Sequence, residues 1–313
     1  MIDYITRRLL IAIPLLLCVI TITFFMTRVA PGNPARVVLG SYASQEAVND
    51  LMEKMGLDKP LHLRYFNYLS KVARGDLGKS LVTGVPITSQ LATVIPYSFE
   101  LTFAGLILGG LIGIPLGIYT ALRRNKVGDY IGRAFSLAGL SFPSFYLGIL
   151  LMFVFALRLD LFPTVGGGNL NNLGDNLRHL FLPALTLGLI MAAYTTRLTR
   201  STFLDLLGDD FVNTARAKGL RERVVLFKHV LKNALIPITS LFGLYSIILM
   251  GASVTTEIVF SRPGLGKLMV GAILQRDYFT AQSVMMIYGG LVVMLNLLTD
   301  IACGILNPRI TYD

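Results

Sequence analysis

Cysteine is nearly absent: Cys18 and Cys303 are the only two in 313 residues, and both fall inside apolar runs. A disulfide framework is therefore not expected. The three histidines are scattered, so no metal ligands are assigned. Charge is scarce as well, at 15% of residues, where ordinary soluble domains carry roughly a quarter. An ion-coupled pump needs ionisable groups deep in its apolar spans. Here Glu100 and Glu257 lie near span ends, and Asp300 lies within about two turns of another. End-of-helix structural roles suit all three better than ion coupling. No Ser/His/Asp or Cys/His constellation stands out, so no catalytic residue is assigned and the chain is not read as an enzyme. Nor is there an inverted repeat of the kind secondary transporters show.

What the chain has in quantity is hydrophobic residues, 54% of the total, with a mean hydropathy of +0.65. Several runs reach the roughly 20 residues needed to cross a bilayer core. The expected fold is an all-α polytopic membrane protein with six transmembrane helices. Leu9 to about Met26 forms the first, too long for a signal-peptide core and without a cleavage site at Ala30-Pro31. Later spans cover about Tyr97–Leu122, Ile131–Leu157, Leu180–Leu198, Leu235–Phe260 and Ala281–Leu306. Three regions follow: 1–29 as N-terminal tail and first helix, 30–95 as an external segment, and 96–313 as the core with five helices. Within 30–95, helical pieces are expected at Ala47–Met55 and Leu63–Val72 among Gly/Pro turns.

Particular motifs need weighing. Gly78-Lys79-Ser80 resembles the end of a phosphate loop, but Ala73 stands where that loop wants glycine and no strand precedes it, so a turn is the better reading. Gly105, Gly109, Gly110, Gly113 and Gly117 allow close helix approach or line a narrow pore; packing is favoured. Pro143 in SFPSF (141–145) kinks the third span, and Ser141, Ser144 and Tyr146 beside it are candidate pore-lining residues. The net charge of +10 comes from basic residues that flank the spans. The positive-inside bias accounts for them without nucleic acid. Arg7, Arg8, Arg123, Arg124, Lys126, the basic residues of 205–237 and Arg309 then share the cytoplasmic side, with both termini.

The segment Asp205–Pro237 is a charged island between apolar spans. It reads as two short helices joined at Gly219. Leu220, Val224, Phe227 and Leu231 recur at i, i+4, i+7 and i+11, one apolar stripe on a helix. Such an element lies on lipid or docks into a partner. The acidic cluster Asp205, Asp209 and Asp210 argues for a partner, because anionic lipid repels it.

TARAKGL (214–220), inside LTRSTFLDLLGDDFVNTARAKGL and followed by KHVLKNALIP, resembles the cytoplasmic signature loop of bacterial ABC importer permeases of the peptide and nickel branch. Asn213, Thr214 and Ala215 take the E-A-A positions of its motif and Gly219 the glycine. His229, Val230, Leu231 and Lys232 replace its I-x-L-P tail. APGNPA (30–35), GLDKPL (56–61), GDLGKS (75–80), SFPSFYLG (141–148), LFPTVGG (161–167), HLFLPALTLG (179–188) and NLLTDIACGILNPRI (296–310) extend the resemblance in order. RPGLG (262–266) resembles the branch's W-P-G-L-G, with Arg262 in place of Trp. The resemblance implies a type I importer permease fold in the bacterial inner membrane. It also implies a second, usually non-identical permease, two cytoplasmic ATPases and an extracytoplasmic solute-binding protein. ATP and Mg would be bound by the ATPases and no cofactor by this chain. Asp210, Asn213, Thr214, Ala215, Arg216, Ala217, Gly219, Leu220, Val224 and Phe227 would form the ATPase-coupling element. Peptides, including dipeptides and glutathione-like tripeptides, are the first expected substrate. Nickel or a metal chelate is the alternative, and an ion-coupled secondary transporter a distant one.

Overall fold

The computed structural model describes residues 2–29, 34–40, 42–54 and 56–306. The NPRITYD tail with Arg309, the first four residues of APGNPA and the side chain of Cys303 fall outside that description. Among the described residues the regular structure is helical, and the one strand-like pairing is an isolated antiparallel bridge, Lys79 with Pro86. In chain order the helices are α1 (Ile2–Val29), α2 (Pro34–Leu39), α3 (Gln45–Lys54), α4 (Leu61–Ala73), α5 (Ile87–Leu122) and α6 (Val127–Ser141). Then come α7 (Ser144–Arg158), α8 (Leu173–Leu207), α9 (Asp210–Ala217), α10 (Glu222–Val259), α11 (Leu265–Leu274) and α12 (Tyr278–Leu306). Five of these, α1, α5, α8, α10 and α12, are long and apolar enough to cross a membrane. The α6–α7 pair makes a sixth crossing if it counts as one.

That pair corrects the third expected span. A single kinked helix was anticipated; the chain instead breaks and turns by 108° between Ser141 and Ser144. Phe142 is extended (φ −83°, ψ 128°), as the steric demand of a following proline requires, and Pro143 itself is extended (φ −60°, ψ 140°). Two consecutive extended residues end one helix and start another. The fourth span also exceeds its expected length, because α8 carries its helix through Arg197 and Arg200 to Leu207.

Residues fall into two compact units. The first comprises Phe99–Arg262 with Met1–Ile5 and Leu295–Asp313; the second comprises Thr6–Ser98 and Pro263–Met294. In the first, α8 is the central helix. Leu187 and Met191 of α8 join Leu101 and Leu106 of α5 and Tyr245 and Leu249 of α10 in one buried cluster. The α5 glycines seat against α8: a Cβ placed on Gly113 would lie 2.6 Å from Thr195 Cβ, and one on Gly117 2.5 Å from Thr199 Cβ. Only a residue without a side chain allows that approach, so these glycines serve packing.

In the second unit, Phe24 of α1 is fully buried against Tyr65 and Tyr68 of α4, with ring centroids 5.1 and 5.5 Å away. The Tyr68 hydroxyl donates to Met286 Sδ at 3.4 Å. Gly78-Lys79-Ser80 forms a turn with Gly78 at φ +78°. The Ser80 hydroxyl donates to Asp277 and accepts from the N–H of Thr83, while Leu81 N–H and Thr280 also donate to the Asp277 carboxylate. This turn ties the segment between α4 and α5 to the chain between α11 and α12.

Candidate functional site

The candidate site is the polar loop between α8 and α10, within the first unit. Its floor is built by Phe203 of α8, Val212 and Ala215 of α9, and Val225, Val230, Ala234 and Ile238 of α10, all buried in one cluster. At Asp209 the backbone is extended (φ −74°, ψ 151°), and α9 starts there with Asp210 in its first turn, where the helix dipole favours a negative charge. The helix stops at Ala217. Gly219 then adopts φ +76°, a left-handed conformation that a side chain would strain, with no atom within 4 Å of where its Cβ would be.

The chain past Gly219 departs from the expected pair of short helices. Helix α10 begins at Glu222 and runs without interruption to Val259, so the second short helix is the first part of the fifth crossing. Its Val225–Val230 stretch is π-helical, which alters the angular spacing of side chains. Val225, Leu226 and Val230 therefore face inward, while Val224 (37% exposed) and Phe227 (60%) face out. Leu220, at 40% exposure, lies in the turn before the helix. The expected stripe ending at Leu231 is thus not one helical face. Leu220, Val224 and Phe227 are exposed apolar residues on an otherwise charged loop, and Leu231 packs half-buried on the floor.

Asp210, Asn213, Thr214, Arg216, Ala217 and Gly219 are exposed, as a docking surface requires. Ala215 is the exception. At 7% exposure it packs into the floor beneath α9. Arg216 closes the turn from above, its Nη2 donating to Glu222 Oε1 at 2.7 Å and its Nε to Oε2 at 3.2 Å. The carboxylate raises the Arg216 pKa above the ordinary arginine value. Both side chains are about half exposed, so solvent screening limits the pair to about 0.2–1 kcal/mol.

The candidate pore residues lie beside the α6–α7 break. Ser141 spends its hydroxyl on Leu137 O at 2.8 Å. Ser144 meets Thr255 of α10, their hydroxyl oxygens 3.2 Å apart on an exposed face. Tyr146 is 44% exposed and stacks on Phe142.

Two buried ionic groups escaped the sequence reading. Arg262 is fully buried: Nη2 donates to Glu100 Oε2 at 2.9 Å, and Nη1 to Gly167 O at 3.0 Å. Asn176 donates to the other Glu100 oxygen at 3.0 Å. The arginine that replaces the branch's tryptophan thus has a carboxylate waiting for it, and Glu100, well inside α5, is held by Arg262 and Asn176. Glu257 is fully buried and takes a 3.4 Å contact from Ser253, and Asp300 is half-buried on α12. The second group is Asp129 with Arg200. Arg200 Nε and Nη2 donate to the two Asp129 oxygens at 2.6 and 2.8 Å.

Apolar helices long enough to cross a membrane, with a polar loop seated on a buried apolar floor, are what a helical membrane permease requires. The chain belongs to the family described as binding-protein-dependent transport system inner membrane component: residues 113–312 match that family and residues 1–101 match its N-terminal companion. It is 38% identical over 312 residues to the glutathione transport system permease protein GsiC of Salmonella typhimurium. The E. coli K12 protein of that name is 36% identical, and in both cases all of each chain is covered. Among solved structures, the inward-facing MetNI methionine ABC transporter superposes with a TM-score of 0.56 at 18% identity, covering 70% of this chain and 97% of that one. An amino acid ABC transporter gives 0.52 at 14%, covering 69% and 93%. These establish the fold. The chain is accordingly a multi-pass permease subunit of an ABC importer, and not the catalytic subunit of that machine.

Proposed function

We propose that this chain pairs with a second, non-identical permease to form the path for small peptides, glutathione-like tripeptides foremost. A solute-binding protein delivers the substrate, and the loop 205–237 docks on one of two cytoplasmic ATPases, which bind ATP and Mg. The loop, the basic turn 123–126 and both termini then face the cytoplasm. The observation that carries the coupling reading is the exposed trio Leu220, Val224 and Phe227 above a floor of buried apolar residues. Exposed apolar side chains among polar ones are what a docking hot spot needs. Full-length similarity to glutathione permeases supports the substrate class. Rigid movement of the docked loops on ATP binding would switch the path between outward and inward access.

The test is uptake into proteoliposomes holding the complete complex, with labelled glutathione, a dipeptide and nickel offered in turn. ATP-dependent glutathione or dipeptide uptake supports the reading. Transport of nickel alone would replace the substrate class, and uptake driven by a proton gradient without ATP would overturn the coupling.

A further inference from the structure

The geometry points to Asp129 and Arg200 as positioning residues, a tether that makes the docking loop and helix α6 move as one piece; this rests on the coupling reading above. Asp129 sits in the first turn of α6 with its side chain wholly inaccessible, while Arg200 on α8 is 20% exposed. The carboxylate receives two guanidinium donors, the Asn125 N–H at 3.0 Å from a residue with φ +61°, and Arg133 at 3.8 Å. The pair joins positions 71 residues apart in the chain.

Its place in the unit is what gives it a role. One turn beyond Arg200 on α8 is Phe203, fully buried in the floor with Val212 and Ala215 of the docking helix. A push on α9 is received by Phe203, passes to the adjacent turn of α8, and reaches α6 through Arg200 and Asp129. The far end of α6 is the 108° break, beyond which Ser144 meets Thr255. The tether thus lies on the contact chain from the docking surface to the candidate pore residues.

Stability alone is a weak reason for such a pair, because an apolar pair of similar volume commonly stabilises as well or better. A bidentate guanidinium–carboxylate contact adds fixed distance and angle. The seam needs that. Gly139 of α6 faces Ala193 of α8, and Gly132 faces the Thr120 side chain of α5, so these surfaces meet through small groups. Packed helices of that kind can slide in small shear steps, and the ionic tether sets the register.

The experiment compares the native complex in proteoliposomes with an Asp129→Leu/Arg200→Met double variant and with Arg200→Lys. Glutathione uptake and ATP hydrolysis are read from the same vesicles. The double variant replaces both charges with apolar side chains, and Arg133, 45% exposed, keeps its charge in solvent. Its ATP hydrolysis should stay within about twofold of native while uptake per ATP falls about tenfold, with an intermediate loss for Arg200→Lys. A purely structural pair predicts the native ratio in the double variant, and that result overturns the proposal. A readout independent of substrate uses spin labels at Lys218→Cys and Arg124→Cys, with Cys18 and Cys303 replaced by serine. Their separation should be the same with and without trapped ATP in the native pair, and spread in the double variant. A native separation that changes with ATP also overturns the tether. If the native complex shows no ATP-driven uptake, the functional reading fails, and the label distances still judge the tether.

Discussion

Replacing Phe227 with alanine tests the docking surface through a single side chain. Phe227 is 60% exposed in the isolated chain. A phenylalanine buries about 150–250 Å² when covered, which leaves about 90–150 Å² for a partner to remove from water. At about 25 cal/mol per Å² this is worth about 2.3–3.8 kcal/mol, before the cost of ordering the interface is subtracted. Docking should weaken by up to about 40- to 600-fold. The part already buried costs the chain itself about 1.5–2.5 kcal/mol, and the floor of Val225, Val230 and Phe203 stays in place. Leu244→Ala is the matched control, since Leu244 is 57% exposed on the same helix but lies outside the loop. The assay titrates purified ATPase onto nanodisc-embedded permease and measures Kd. A Phe227→Ala Kd within about twofold of native, or an equal loss from Leu244→Ala, would refute the docking argument.

Other outcomes follow from the packing. Gly113→Leu should cost at least about 1–3 kcal/mol through overpacking against Thr195, read as reduced thermal stability in detergent, whereas Gly251→Ala, with nothing within 4 Å, should leave stability unchanged. Gly219→Pro should abolish uptake while membrane insertion stays normal, because proline cannot reach φ +76°; Gly219→Asn should retain most uptake. Arg262→Met should destabilise the chain by about 3–5 kcal/mol by stranding the Glu100 carboxylate, and adding Glu100→Gln should recover much of that loss in a thermal-melt comparison.

Much of the architecture was legible because lipid imposes long apolar runs, and helices α1, α5, α8, α10 and α12 all contain the spans read from hydropathy. The pieces α3 and α4 lie within two residues or so of their expected ends, since Gly and Pro punctuate them. The α6–α7 break was half legible: Pro143 announces a disturbance, but hydropathy carries no angle. The docking loop was found, yet its faces were misassigned from Leu220 to Leu231. A uniform 3.6-residue period cannot foresee the π-helical turn at Val225–Val230, which tertiary packing of Val225 and Val230 on Phe203 supports. Ala215 was named from its motif position alone, which says nothing of burial, and its small size suits the buried floor. Asp129 with Arg200, and Glu100 with Arg262, are pairs far apart in the chain, and local spacing holds no trace of such partners.

The most direct measurement places a photo-crosslinking amino acid at Leu220 in the tagged chain, in its native membrane. The crosslinked product is then captured and identified by mass spectrometry. The account predicts a product joining this chain to an ATPase, lost when Phe227 is also alanine, with a second permease co-purifying. Crosslinks to lipid alone, from a chain that recovers the second permease normally, would contradict the claim that this loop is where the motor engages.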